Sequence, residues 1–172
     1  MRAKEQLQST IDHVIEVLRT IQSPEDIERN RQALRQVLLS RFDFAAMAHN
    51  SLGNRWNDLN GKEQEFVSAF TDFLEHSYMS TLGSYRGEKV VYDGDRADGE
   101  SAEVDTQVVG GEGAPIKIEY KLHLTGGQWM VYDAVIDDVS VVGNYRSQFA
   151  RILQTASLEE LIQNLRAKAS GR

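Results

Sequence analysis

The sequence predicts an α+β domain in which helices pack as a layer over a curved, antiparallel, four-stranded sheet. Three observations lead there. Apolar residues recur every three or four positions through residues 3–84. They then alternate with polar ones, between glycine-rich turns, through residues 88–135. Helical spacing returns for residues 140–169. A period of 3.6 marks an amphipathic helix and a period of 2 a half-buried strand. Strands that follow one another through short turns pair antiparallel, and flanking helices must cover one face of the sheet.

The elements follow in order. Leu7, Ile11, Val14, Ile15, Leu18 and Ile21 form one stripe of a first helix. Ser23-Pro24-Glu25-Asp26 restarts the chain with a capping hydroxyl, a proline whose missing N–H costs nothing there, and acids favoured by the helix dipole. The second helix buries Ile27, Leu34, Val37 and Leu38 and turns Arg29, Arg31 and Arg35 outward. Asp43 is placed to cap a short third helix, with Phe42 and Met47 at the positions of a hydrophobic staple. Gly53 is placed to end it in the left-handed conformation. Asn60, with Glu63 three residues on, starts the longest helix at about residues 61–83. Phe66, Phe70, Phe73, Leu74, Tyr78 and Leu82 recur along it.

At Tyr85-Arg86-Gly87 the period changes. Val90-Val91-Tyr92 opens a strand, and Ala102, Val104, Thr106 and Val108 mark the inward face of the next. Ile116, Ile118, Tyr120, Leu122 and Leu124 alternate with charged neighbours in the clearest strand of the chain. Thr125-Gly126-Gly127-Gln128 is a tight hairpin turn, which places Trp129 and Val131 inward. Tyr145, Phe149 and Ile152 lie on one side of the following helix, and Ser157 with Glu160 forms a capping box for the last.

Bulk properties narrow the function. At 172 residues, 41% hydrophobic and 26% charged, the chain fits one domain spanning residues 1–172. A formal charge of −7 disfavours nucleic acid, whose phosphates are neutralised by clustered cations. The absence of cysteine removes disulfides and thiolate sites together. No apolar run approaches the roughly 20 residues of a membrane span. Nor does a charged start lead into an apolar stretch of about 7–15 residues, so a native leader is expected to precede Met1.

Catalytic motifs are missing. Gly111-x-Gly113 begins a dinucleotide-type pattern, but Ile116 occupies the place of the third glycine and the stretch joins strand to strand. The four histidines, His13, His49, His76 and His123, include no pair at i, i+4, and neither metal nor cofactor is expected. Asp133, Asp137 and Asp138 cluster after the hairpin. Two such carboxylates can divide acid and base roles, or can simply favour a helix N-terminus. The Arg29, Arg31, Arg35, Arg41 series reads as a solvated helix face or as a docking patch for acidic groups. The aromatic stripe on the long helix reads as ordinary core or as a pocket wall.

Several segments together resemble the MlaC family of periplasmic phospholipid-binding shuttles, also called toluene-tolerance auxiliary proteins. The run Tyr120-Lys-Leu, a glycine turn, Trp129-x-Val-Tyr-Asp133, Val139-Ser140-Val-Val and Asn144-Tyr-Arg-Ser-Gln-Phe149 carries the likeness. In the helical half it is carried by Phe42-Asp-Phe-x-x-Met47, Leu52-Gly53-x-x-Trp56, Phe66-x-x-Ala-Phe70 and Tyr78-x-x-x-Leu82-x-x-Tyr85. The likeness spans residues 42–165. One position departs: Asp138 stands where the family tends to have glycine.

The resemblance implies a monomeric, non-catalytic carrier with a deep pocket between helices and sheet, whose ligand is a phospholipid. It implies transfer between an inner-membrane ABC-type transporter and an outer-membrane lipoprotein complex, supporting outer-membrane lipid asymmetry and solvent tolerance. The expected pocket lining is Phe66, Phe70, Phe73, Leu74 and Tyr78 facing Val104, Ile118, Tyr120, Leu122, Trp129 and Val131. Arg29, Arg31, Arg35 and Arg146 are candidates for head-group or partner docking. Three alternatives stay open: a carrier of hopanoid-type lipid, an adaptor with a filled core, and a small enzyme on a cone-like, NTF2-like fold. The last would use Asp133 with Tyr78 or Tyr120.

Overall fold

The computed structural model describes residues 2–171. Its helices are α1 (Ala3–Leu18), α2 (Pro24–Leu39), α3 (Phe44–Leu52), α4 (Glu63–Leu82), α5 (Val141–Ile152) and α6 (Leu158–Ala169), with a 3₁₀ turn over Gly53–Leu59. The strands are β1 (Lys89–Asp98), β2 (Ser101–Val109), β3 (Ile116–Thr125), β4 (Gln128–Ile136) and the two-residue β5 (Val139–Ser140). They pair antiparallel in the order β1-β2-β3-β4-β5, an open meander that gains one short strand over the expected four. Among the described residues no helix is long and apolar enough to cross a membrane.

Local signals account for most boundaries. The Asp43 carboxylate accepts the Ala46 N–H at 3.0 Å and starts α3. The Ser157 hydroxyl accepts the Glu160 N–H at 3.1 Å and starts α6. Ser23 holds the cap position of α2, but its hydroxyl makes no capping bond. Asp26 does the work instead. Its carboxylate accepts the Gln22 N–H at 2.8 Å, and that bond lowers the Asp26 pKa from its ordinary value. Gly53 has the expected positive φ of 56°, yet the chain tightens there into the 3₁₀ turn. Asn60 does not cap α4. It adopts the left-handed conformation (φ 48°) with Gly61 behind it, so the helix starts later, with Lys62 as its cap.

Register decides which face of the sheet is covered. Val104 faces Tyr120, Ala102 faces Leu122, and Leu122 in turn faces Val131. Extra residues interrupt the ladder twice, at Asp93 in β1 and at Tyr132 in β4. Such bulges increase local twist, which gives the sheet its curvature. Gly126 (φ 57°) and Gly127 (φ 79°) close the β3–β4 hairpin in the mirror-image turn that matches strand twist.

Asp137 (φ 46°) and Asp138 (φ 72°) close the β4–β5 hairpin with the same handedness and no glycine. The departure at Asp138 is therefore accommodated by left-handed backbone. Asp137 also exchanges bonds with Lys117, its N–H donating to the carbonyl at 2.9 Å and its carboxylate accepting the amide at 3.1 Å.

The interior divides into three apolar clusters. The largest joins α3, α4, α5 and α6 around Phe66, Phe70, Phe149, Leu161 and Leu165. A second joins Ala3 and Leu7 of α1 to Ala102, Val104, Leu122, Trp129 and Val131 of the sheet. The third joins Val14, Leu18, Leu34 and Met79 where α1, α2 and α4 meet. Phe42 belongs to the first two clusters and Tyr78 to the first and third.

Two substitutions test this description. Asp138→Gly should raise unfolding free energy by about 0.5 kcal/mol, relief of the left-handed strain exceeding the added chain entropy; a loss of stability in urea melts would contradict the turn geometry. Arg41→Leu should cost about 3 kcal/mol, because it strands the buried acceptors described next; an unchanged urea midpoint would show that they find other donors.

Candidate functional site

Arg41 sits at the closed end of the interior. The sequence placed it in a series of solvated arginines, but it is 9% exposed. Its guanidinium donates to Thr10 Oγ1 at 3.0 Å, Gln6 Oε1 at 2.9 Å and the Trp129 carbonyl at 2.7 Å. Gln6 Oε1 also accepts the Trp129 N–H at 2.9 Å. The chain beside Arg41 pairs with β4, Val131 N–H donating to Arg41 O at 2.7 Å and Asp43 N–H to Val131 O at 2.8 Å. Burial lowers the Arg41 pKa from its usual value. This network holds the N-terminal half of α1 over one end of the sheet.

The other end of the same face is open. Val90, Val108, Ile116, Ile118 and Ile136 continue the inward alternation through the pairs Val90–Val108, Val108–Ile116 and Ile118–Ile136. Ile116 and Ile136 are 43% and 40% exposed, and the remaining three are half-buried. Tyr92, paired with Thr106, and Tyr120, paired with Val104, stand at the boundary between covered and open halves. Burial pushes the Tyr120 phenol up to about 12, yet the residue is only half-buried by surface area. Tyr92 Oη is buried without a hydrogen-bond partner among the described residues, and its pKa is also raised by burial. An orphaned buried hydroxyl costs about 1–3 kcal/mol.

A groove of about 830 Å³ lies between the last turn of α1, the start of α2 and the last turns of α4. Leu18, Ile21, Ile27, Met79, Leu82 and Tyr85 contribute its apolar lining. Gly87 also lines it, and Val90 follows only three residues later. A smaller depression of about 350 Å³ lies at the start of α1, with Arg2, Glu5, Asp95, Arg96 and Glu103 in its wall beside Ala3, Ala102 and Trp129.

The expected pocket residues fall into separate groups. Phe66 and Phe70 are fully buried, their rings 6.2 Å from that of Phe149 at nearly right angles. Phe73 and Leu74 belong to the same helical cluster. This stripe faces α5 and α6 rather than the sheet, because α6 covers that side of α4. Val104, Leu122, Trp129 and Val131 pack under α1. Ile118 and Tyr120 reach the open half, and Tyr78 joins the helical clusters, its phenol pushed up to about 12 by burial and by Glu75. Val90, Val108 and Phe42 were not among the candidates. Val108 was visible in the strand alternation; nothing local marked Phe42 as a bridge between clusters.

The arginine candidates separate too. Arg35 pairs with Glu75 and with Asp72 (3.1 Å), and Arg31 with Glu28 (2.8 Å) and Glu75 (3.6 Å). Glu75 is 4% exposed, so these two arginines hold α2 to α4. Arg29 makes only exposed pairs within α2, and Arg146 donates to the Asn50 carbonyl at 2.8 Å.

Asp133 is buried and fully engaged. It accepts from Ser140 Oγ at 2.5 Å, Ala134 N at 2.8 Å and Val142 N at 3.1 Å. It pins β5 and the start of α5 to β4, which removes the free carboxylate that the pocket-enzyme alternative required.

The fold defines an α+β domain in which α1 packs over one part of the sheet's apolar face and leaves Ile116 and Ile136 exposed at the other end. The chain belongs to the MlaC family: the sequence model described as MlaC protein matches residues 8–167. It is 30% identical over 92 residues to the toluene tolerance protein ttg2D of Pseudomonas putida, covering 53% of this chain and 43% of that protein. It is 24% identical over 146 residues to the intermembrane phospholipid transport system binding protein MlaC of Haemophilus influenzae, covering 81% and 68%. A phospholipid-binding protein from Ralstonia solanacearum, solved in complex with a phospholipid, superposes with a TM-score of 0.85 at 23% identity. That match covers 99% of this chain and 98% of the other, and shows the same fold.

The raised tyrosines give a pH prediction. A phenol whose folded pKa exceeds its unfolded value of about 10 contributes stability that is fully present below pH 10 and lost as pH rises through the folded pKa. Stability should therefore decline between about pH 10 and 12, and Tyr120→Phe should flatten part of that decline. Identical pH profiles for the two proteins would place Tyr120 outside the buried set.

Proposed function

We propose that residues 1–172 act as one lipid-binding domain that carries a membrane phospholipid through the periplasm without chemically changing it. The observation that carries this reading is the half-covered apolar face of the sheet, with Ile116 and Ile136 exposed beyond the part that α1 covers. Acyl tails lie against Val108, Ile118, Tyr120 and the α4 end near Tyr78, with the walls formed by Val104, Leu122, Trp129 and Val131 behind them. The Phe66, Phe70, Phe73 and Leu74 cluster supports that chamber from the helical side.

The physics requires such a container. Each methylene left in water costs roughly 0.8 kcal/mol, so a two-tailed lipid with about thirty costs on the order of 24 kcal/mol. No carrier can move it across an aqueous space without covering the tails. Tyr92 Oη offers the interior an unsatisfied polar contact for a ligand oxygen. The family relationship supports the same ligand class, since its named members include phospholipid-binding proteins. On the strength of that relationship the proposal extends to delivery between an inner-membrane ABC-type transporter and an outer-membrane lipoprotein complex. Support of outer-membrane lipid asymmetry and solvent tolerance follows with it.

Native mass spectrometry of the chain purified without detergent should show an added mass equal to one membrane phospholipid, and that mass distinguishes a glycerophospholipid from a hopanoid-type lipid. Ile118→Trp should lower the bound fraction severalfold while the fold persists, because Ile118 is only half-buried and the ring takes ligand space. Protein that carries no lipid, and acquires none from labelled vesicles, would sink this reading.

A further inference from the structure

We infer that the groove between α1, α2 and α4 holds the phosphate of the lipid head group on Arg19 and Arg86, with Arg31 beside them; this rests on the lipid-carrier reading. The chain as a whole carries −7, yet the charged residues of this groove are three arginines against Glu28. Elsewhere Arg41 and Arg146 donate to carbonyls and Arg151 stands without an ion pair on α5 among the described residues, whereas five arginines are neutralised. Arg2, Arg29, Arg35, Arg55 and Arg96 each sit on a carboxylate. Arg19 has no ion pair among the described residues. Arg86 donates from Nη1 only to the carbonyls of Tyr85 at 2.8 Å and Gly83 at 3.2 Å. Arg31 is paired through its terminal nitrogens, but its Nε is buried and has no acceptor.

The groove thus combines two uncompensated guanidinium groups and one orphaned donor with apolar side chains such as Leu18, Ile27 and Leu82. Cations alone would suit any anion. Cations rimming an apolar trough whose Leu18, Ile27, Met79 and Leu82 pack with Tyr78 suit an anionic amphiphile. A phosphodiester supplies the matching oxygens, because guanidinium groups bind phosphate through paired N–H donors. The tails then run inward past Tyr78 while the head stays at the rim, where release needs no desolvated ion pair to break.

The test uses the full chain, delipidated and reloaded with phosphatidylglycerol or with diacylglycerol bearing the same chains, each quantified by native mass spectrometry. Wild type should load phosphatidylglycerol in preference, and Arg19→Gln with Arg86→Gln should lower the ratio of the two loads by about tenfold, as expected for charge-assisted hydrogen bonds. Circular dichroism checks that the variant is folded, and both positions are exposed. An unchanged ratio in the folded variant would overturn the assignment and leave the groove to a polypeptide. Inorganic phosphate, titrated alone and followed by the arginine Nε–H resonances, should bind far more weakly than the lipid; equal affinity would make this a free-anion site and also overturn it. Failure of wild type to load either lipid would instead remove the carrier reading, and this inference with it.

Discussion

The arrangement depends on a buried cation that has no buried anion. Arg41 reaches α1 through Thr10 and Gln6 and reaches β4 through the Trp129 carbonyl, while its own backbone extends the sheet edge. A guanidinium satisfied only by neutral acceptors is held in one geometry, since every displacement leaves several buried polar atoms unpaired. That geometry fixes where α1 lies. Ala3, Leu7 and Ile11 pack over Ala102, Val104 and Leu122, with Tyr92 and Tyr120 at the edge of that cover. The sheet continues beyond it with inward apolar residues that nothing covers as completely. The opening is thus a consequence of where the clamp sits.

A second division separates rigidity from capacity. Phe66, Phe70, Tyr145 and Phe149 form edge-to-face and stacked contacts with centroids 5.8–6.2 Å apart, the spacing of a filled aromatic core. The Arg31, Arg35, Asp72 and Glu75 network fastens α2 onto α4 beside it. Asp133 fastens β5 and α5 onto β4. These contacts make a stiff helical frame against which the open half of the sheet can accommodate a ligand without the frame yielding. Rings that looked like pocket wall serve that frame.

Read residue by residue, the chain made its strands most legible. The alternation of Ile116, Ile118, Tyr120 and Leu122 named the inward face correctly along the whole of β3, and the paired glycines at 126 and 127 set the β4 register. Asp43 and Ser157 were legible as caps because a short side-chain acceptor at a helix start needs only its own backbone. The aromatic stripe of α4 was legible as a buried face, but its partner was not. Helical periodicity says that a face is covered and is silent on whether α6 or the sheet covers it.

Arg41 shows the same limit for charge. Its neighbours Arg29, Arg31 and Arg35 made it look solvated, and its acceptors lie 31 to 88 residues away. By itself the sequence determined the order of the helices and the four long strands and the inward faces of those strands, because each rests on local spacing, while its motifs carried the resemblance to the family. Only the tertiary structure decided which part of the sheet α1 covers, that the α4 rings pack on α5 and α6, and that Asp133 is a fastening. Those outcomes come from contacts between distant segments, where packing and the satisfaction of buried polar groups choose among partners that local spacing leaves equivalent.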